Sequence, residues 1–166
     1  RVAAALGSPR LIVPAAAGVM SAIGFLAAPL AFDFVRTFRG RLDALDWARV
    51  NELLTEMESE GNAVLRAAGV PAREINHRRI AEMRYVGQGH EVRVPLPPGP
   101  LNPASLRTLH QAFEREYLRL YQRLGPPVPL EAITWRVVST GPKPDLRLAT
   151  VNGAGGDAQR GGGFLR

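Results

Sequence analysis

The sequence of 166 residues contains no cysteine, and its three histidines stand apart from one another. Without cysteine there is no disulfide framework and no thiolate for zinc or for nucleophilic catalysis. His77, His90 and His110 lack the spacing of metal-binding pairs and have no carboxylate cluster beside them, so we predict no metal site. No serine and aspartate that would complete a Ser-His-Asp set with any of these histidines can be assigned from the sequence. The absence of cysteine fits a reducing compartment, and we expect a cytoplasmic location.

Lysine is almost absent as well, because Lys143 is the only one. The chain has 21 basic and 15 acidic residues and a net charge of +6, and arginine carries nearly all of the positive charge. Nucleic-acid binders usually gather their cations into a stripe or a run. Here the arginines are interleaved with aspartate and glutamate, and no nucleic-acid-binding motif occurs. We therefore expect no nucleic-acid partner.

The longest uncharged run, residues 11–32, has the length of a membrane span, for which about 20 apolar residues are needed. It is rich in alanine and interrupted by two prolines and two glycines, which makes it a poor continuous helix. We interpret it as a short buried strand at residues 11–13 followed by an alanine-rich helix, and we expect no membrane partner.

From residue 30 onward the hydrophobic pattern changes between the periods of strands and helices. One amphipathic helix follows the N-cap Asp46 and ends before Gly69, with Gly61 in the one small position of its stripe, and a second follows Asn102. The predicted stripes consist of Trp47, Val50, Leu54, Met57, Val64 and Ala68, and of Leu106, Leu109, Phe113, Tyr117, Leu120 and Leu124. Strand patterns precede, separate and follow the helices. The order β-α-β-β-α-β predicts an α+β fold, a ferredoxin-like sandwich with two long helices on one face of an antiparallel sheet.

Composition suggests where this domain begins and ends. Residues 30–141 carry the α+β pattern, whereas residues 142–166 are rich in glycine and proline, which is typical of a flexible tail. Residues 1–29 contain too few strands to complete a sheet of their own. We therefore expect them to be the end of an upstream domain, and the chain to be a piece of a longer protein.

Two predicted strands, at residues 78–86 and 90–96, flank a glycine-containing turn and indicate a β-hairpin. Its tip carries polar side chains that a purely structural hairpin does not need, and these are our candidate catalytic or interface residues. They are Arg84, Gln88, His90 and Glu91.

Strand alternation predicts where the charges of the hairpin point. If Met83 and Tyr85 face the helices, Glu82 and Arg84 lie on the opposite face of the sheet. The same alternation extends to Glu91, Arg93, Thr134 and Arg136. Arg84 and Glu91 can form a cross-strand ion pair, or Arg84 can meet a carboxylate or phosphate at a domain boundary. The charged face is then either solvated or docked on another surface.

Four segments resemble, in order, the C-terminal portion of the hydantoinase A/oxoprolinase family, which includes N-methylhydantoinase A, 5-oxoprolinase and subunits of acetone and acetophenone carboxylases. The segments are VPAAAGVMSAIGFLAAP followed by DFVRTF, then MRYVGQGHEVRVPLP, FEREYLRLY and PLEAITWRV. The most specific is Arg84-Tyr85-x-Gly87-Gln88. Glu82 stands where aspartate is common in the family, and Gln122 stands where glycine is common.

The resemblance implies an ATP-dependent enzyme in which phosphorylation of an amide, lactam or enolate drives ring opening or carboxylation. Residues 1–29 would be the end of an actin-like ATPase core, whose ATP and Mg²⁺ bind upstream of this chain. No cofactor is then expected in this part, which would be structural and interface-forming and inactive by itself. Its expected partners are the upstream ATPase domain and a hydantoinase B-type subunit, separate or fused. The alternative is a non-catalytic ferredoxin-like binding or assembly module.

Overall fold

The structure, a computed structural model, describes residues 2–8, 17–125 and 127–145. The strand predicted at residues 11–13 and most of the predicted tail lie outside the described residues. The chain divides into two compact units, one of Pro29–Lys143 and one of Arg1–Ala28 with Pro144–Arg166. The second unit contains helix α1 (Val2–Ala5), a 3₁₀ turn at Ala17–Val19 and helix α2 (Met20–Ala27). None of the described helices has both the length and the apolar character needed to cross a membrane.

The unit Pro29–Lys143 contains the predicted β-α-β-β-α-β order. Its elements are β1 (Ala31–Arg41), α3 (Trp47–Ala67), β2 (Asn76–Tyr85), β3 (Val92–Pro95), α4 (Leu106–Tyr121) and β4 (Leu130–Thr140). The four strands form one sheet in the order β1-β4-β2-β3, and all neighbouring pairs are antiparallel. The α+β prediction and the antiparallel sheet are thus confirmed.

The strand order corrects the finer prediction of a ferredoxin-like sandwich. That arrangement places the first and third strands in the centre of the sheet, whereas β4 and β2 are central here. The inner positions of β4, which include Trp135 and Val137, are fully buried, while the side chains of β1 that face the helices are only half-buried. The more apolar strand therefore takes the central position, and the order of elements along the chain cannot reveal this.

Helix α3 begins and ends as its sequence signals predict. The Asp46 carboxylate accepts a hydrogen bond from the backbone N–H of Arg49 at 3.1 Å, and Gly69 follows the helix with φ of +87°. The buried positions include Val50, Leu54, Met57 and Gly61. Val64, which we placed on the apolar stripe, is exposed.

Helix α4 follows a 3₁₀ turn at Pro103–Ser105, where Asn102 and Ser105 form a reciprocal capping box. The helix ends earlier than predicted, because Gln122 adopts the left-handed conformation with φ of +55°. Leu124 therefore lies beyond the helix, and both Leu120 and Leu124 are exposed rather than part of the apolar stripe.

A single core joins the two long helices to the inner face of the sheet. Its fully buried members include Val50, Leu54 and Met57 of α3, Leu109 and Phe113 of α4, Met83 of β2, Val92 and Val94 of β3, and Trp135 and Val137 of β4. The Trp135 indole N–H donates to the Phe38 carbonyl at 3.0 Å. This core fixes which side chains of each strand point away from the helices.

Gly61 provides a test of this packing, because a Cβ there would overlap the side chain of Ser139 and lie 2.6 Å from its Cβ. Alanine in a helix is intrinsically favoured over glycine by about 1 kcal/mol. Overpacking costs about 1–3 kcal/mol in general, and an overlap this close with a rigid strand belongs at the upper end, about 2–3 kcal/mol. We expect Gly61→Ala to lower the free energy of unfolding by a net of about 1–2 kcal/mol in urea titrations. Gly89→Ala, where nothing lies within 4 Å of the new Cβ, is the control. Equal stability of the two variants would contradict this packing.

Candidate functional site on the charged face of the sheet

The face of the sheet opposite the helices carries charged side chains from all four strands. Strand alternation predicted this placement for Glu82, Arg84, Glu91, Arg93 and Arg136, but not for the charges of β1 or for Glu131. We call this set the charged face. It consists of Asp33 and Arg39 of β1, Glu82 and Arg84 of β2, Arg93 of β3 with Glu91 just before it, and Glu131 and Arg136 of β4.

Four of these residues form a continuous chain of ion pairs centred on Glu131. The Nε of Arg39 donates to Glu131 Oε2 at 2.9 Å, and the Nε of Arg84 donates to Glu131 Oε1 at 2.8 Å. Arg84 also donates through Nη1 to Glu91 Oε1 at 3.2 Å. This Glu131 network crosses the sheet from β1 through β4 and β2 to the start of β3, with the signs plus, minus, plus, minus.

The other four residues form a second chain, centred on Glu82. Arg136 donates to Asp33 and, through Nη2, to Glu82 Oε1 at 3.2 Å. The Nε of Arg93 donates to the same Glu82 oxygen at 3.1 Å. This Glu82 network crosses the strands in the same order with opposite signs, so the two networks together are electrically balanced.

The Nε of Arg136 is buried and has no hydrogen-bond partner among the described residues.

Glu131 is the most buried charge of the face, with 3% of its surface exposed. Burial by itself raises the pKa of this carboxyl group, but the hydrogen bonds from Arg84 and Arg39 outweigh that effect and hold its pKa below the ordinary value of 4.5. The ionised form is therefore the one that the fold stabilises.

The predicted ion pair between Arg84 and Glu91 is present, but it is the weaker contact of Arg84. Its closer partner, Glu131, was missed by the sequence analysis. Gln88 does not point into a polar site. Its Nε2 donates to the Tyr117 hydroxyl at 3.1 Å, which ties the hairpin turn to α4. His90 is exposed.

His77, which had no recognisable partner in the sequence, lies between two polar side chains. Its Nδ1 is 2.8 Å from the Ser139 hydroxyl, and its Nε2 is 3.2 Å from Oδ1 of Asn62 on α3. The arrangement has the outline of a Ser-His-Asn set, but Ser139 is completely buried and packs against Gly61. A buried hydroxyl cannot reach a substrate, so this group connects the sheet to α3.

A bidentate ion pair also joins β2 to α3 beside this group. Arg79 donates to both carboxylate oxygens of Glu58, at 2.6 and 2.8 Å, and through Nη1 to the Gly99 carbonyl at 2.8 Å. The hydrogen bonds from Arg79 lower the pKa of the Glu58 carboxyl group. Like the group around His77, this pair is a structural connection between elements.

The paired arginines and carboxylates of the charged face are groups suited to recognising polar or charged atoms of a partner. Among the described residues no group of three or more metal-ligating side chains is close enough together to hold a metal ion. The carboxylates of the charged face are occupied by guanidinium groups. The described residues define an α+β domain with an ordered, ion-paired outer face.

Comparison with known proteins finds relatives of part of this chain. No protein-family model matches the chain. Caprolactamase subunit alpha of Pseudomonas jessenii is 29% identical over 136 residues, which cover 80% of this chain and 20% of that protein. The crystal structure of ATP-dependent caprolactamase from the same organism is similar with a TM-score of 0.66 and 26% identity, covering 80% of this chain and 20% of that one.

A nucleotide-free structure of acetone carboxylase has the same fold, with a TM-score of 0.69, 20% identity, and coverage of 78% of this chain and 20% of that chain. The chain is homologous over about 80% of its length to caprolactamase subunit alpha, a relative of the hydantoinase and oxoprolinase enzymes. It spans about a fifth of the length of the relatives that it matches.

The Glu131 network predicts unequal effects for two arginines of the charged face. Arg84→Ala leaves the buried Glu131 carboxylate with Arg39 alone, and we expect a loss of about 2–3 kcal/mol in the free energy of unfolding. Arg93 is 66% exposed in its ion pair, so Arg93→Ala should cost less than about 1 kcal/mol. Urea unfolding of the 166-residue chain measures both. Similar losses for the two variants would show that Glu131 is not the critical charge.

The lowered pKa of Glu131 also predicts a pH dependence. The unfolded chain binds the proton more readily than the folded one, so the contribution of Glu131 to stability is present above pH 4.5 and is lost as the pH falls through the lower folded value. We expect Glu131→Gln to be less stable than the wild type at neutral pH and to lose less stability between about pH 5 and 3. If the free energies of unfolding of the two proteins changed in parallel with pH, the lowered pKa of Glu131 would be contradicted.

Proposed function

We propose that this chain is the α+β domain of a larger ATP-dependent enzyme that opens a cyclic amide or carboxylates a ketone. The observation that carries the proposal is the homology to caprolactamase subunit alpha over 80% of this chain but only 20% of that protein. In this proposal residues 30–141 correspond to the C-terminal domain of the hydantoinase A/oxoprolinase family, and residues 1–29 to the end of its actin-like ATPase core.

Within the enzyme this domain has a structural and interface-forming role. Of the four candidate residues, Arg84 and Glu91 belong to the charged face, and Gln88 and His90 lie in the turn between β2 and β3. In this proposal, this end of the charged face meets the rest of the enzyme. Two observations support this role: Arg84 and Glu91 are held in place by ion pairs, and His90 is presented to solvent. A surface of pre-ordered charges favours specific docking, because less side-chain freedom is lost on binding.

ATP and Mg²⁺ belong elsewhere in this proposal. The described residues do not fit a nucleotide site, since they contain no cluster of metal-ligating side chains and the sequence has no phosphate-binding Gly-Lys-Ser/Thr loop. We therefore assign no step of ATP chemistry to this chain. A hydantoinase B-type subunit as partner and a cytoplasmic location complete the proposal.

The enzymatic part of the proposal is tested with the full-length parent protein and its partner subunit. We expect phosphate release from ATP to be stimulated by at least one cyclic amide among caprolactam, hydantoin and 5-oxoproline, or by acetone with bicarbonate. An ATPase activity that none of these compounds changes would instead favour the non-catalytic assembly module.

The interface role predicts an activity difference between two carboxylates that each pair with arginine. Glu91 lies on the charged face, whereas Glu52 pairs with Arg49 on the surface of α3. We expect Glu91→Gln to lower kcat/KM of the parent enzyme at least tenfold, about 1.4 kcal/mol of transition-state stabilisation, while Glu52→Gln stays within twofold. Both should change stability little because the two carboxylates are open to solvent, Glu91 at 36% and Glu52 at 63% of the side-chain surface. Equal activities would remove Glu91 from the interface. Arg84→Ala is a less suitable test of the interface role, because this variant is also expected to destabilise the fold.

A further inference from the structure

One end of the sheet, beside the Glu131 network, carries exposed apolar side chains from three separate segments. They are Val86 after β2, Tyr121 at the end of α4, and Leu124 and Val128 in the segment before β4, all more than a third exposed. We call these four residues the apolar end. Only small contiguous apolar patches are usual on monomeric proteins, and larger ones mark interaction sites.

The apolar end surrounds a groove rather than a flat surface. A cavity of about 270 Å³ lies between the hairpin turn and α4, with Val86 and Val128 on its walls and Tyr85 and Tyr117 at its base. The ring of Tyr121 packs against Tyr117 at a centroid distance of 4.5 Å, with the two ring planes tilted by 41°. Leu124 and Val128 also line a neighbouring cavity of about 500 Å³ on the other side of Tyr85. The two cavities share Tyr85 and Val128 in their walls, and Tyr121 lies next to the first through its contact with Tyr117.

The groove is held open by contacts that do not depend on a ligand. The Gln88–Tyr117 hydrogen bond fixes one wall, and the backbone N–H of Val86 donates to the Pro129 carbonyl at 2.9 Å to fix the other. Tyr85 packs edge-on against Phe113 and Tyr117 with centroid distances of 5.0 and 5.1 Å. A preformed apolar groove loses little freedom when it binds a partner.

The apolar end and the Glu131 network together have the anatomy of an interface. Tyr85 directly follows Arg84, and Leu130 directly precedes Glu131, so the groove and the Glu131 network lie at the same end of the sheet, the groove on the helix side and the network on the opposite face. Interfaces commonly combine an apolar centre that supplies affinity with a polar rim that supplies orientation.

We propose that the apolar end is the docking surface for another segment of the same parent polypeptide, which places an apolar side chain in the groove. This inference rests on the proposed function, in which the chain is one domain of a larger enzyme. The occupant is argued from length: in the relatives, four-fifths of the polypeptide lies outside the region matched here. A small domain within such a chain is held by contacts with the remainder, and this groove provides an apolar anchor for them.

The test places a photo-reactive benzoylphenylalanine at Leu124 in the full-length parent enzyme and identifies cross-linked peptides by mass spectrometry. A mixture of isotopically light and heavy enzyme separates links within one polypeptide from links between copies. We expect a link to a peptide of the same polypeptide outside residues 30–141. A link to a second copy or to a separate subunit would overturn the proposal, and so would a yield no higher than from the control position Val64 on α3.

A matched pair of variants gives an independent readout. Val128 and Val64 are both 38% exposed, but only Val128 belongs to the apolar end. We expect Val128→Glu to accelerate limited proteolysis between this domain and the rest of the enzyme at least tenfold, and Val64→Glu to change it less than twofold. Equal rates would contradict the proposal.

Neither measurement requires substrate, so the two proposals can fail separately. A same-chain cross-link in a parent protein without substrate-stimulated ATPase activity would support the docking surface and reject the proposed enzyme. An active enzyme without that cross-link would reject the docking surface alone.

Discussion

The Glu131 carboxylate is the charge on which the outer face of the sheet depends. It lies in a central strand and is almost fully buried, and removing a carboxylate from water costs several kcal/mol unless it is paired and hydrogen-bonded. Each of its oxygens accepts a hydrogen bond from a guanidinium group on a different neighbouring strand, Arg39 on β1 and Arg84 on β2. One side chain thereby connects three strands and fixes the position of Arg84, which in turn orients Glu91 beside the hairpin turn.

A register shift explains why Glu131 escaped the sequence analysis. Strict alternation back from Arg136 and Thr134 would place Glu131 on the helix side of β4. The pairing of β4 with β2 instead steps from Thr134 directly to Ala132, and the pairing with β1 shifts at the same place. Such irregularities reverse the alternation of all residues beyond them. The register depends on packing between strands that are far apart in sequence, and no local pattern reveals it.

Features set by neighbouring residues were predictable, whereas those set by distant ones were not. The Asp46 cap, the small residue Gly61 and the hairpin follow from local chemistry, and the outward direction of Glu82 and Arg84 follows from strand period. The central place of β4, the hydrogen bond between Gln88 and Tyr117, and the partners of His77 all require contacts across the fold. The early end of α4 is a local feature that the sequence nevertheless did not predict. Its cause is Gln122, which adopts a left-handed conformation that glycine normally takes.

The balanced charges of the Glu131 and Glu82 networks constrain how this face of the domain can bind a partner. Because its carboxylates already accept hydrogen bonds from arginines within the domain, a partner gains little net attraction by bringing another charge. Paired charges of alternating sign instead penalise a partner whose pattern does not match, which gives specificity and orientation more than affinity. Affinity must then come from burial of apolar surface. On this domain the groove around Val86 and Val128 and the Glu131 network lie at the same end of the sheet, on its two opposite faces, so one end of the domain offers both kinds of surface.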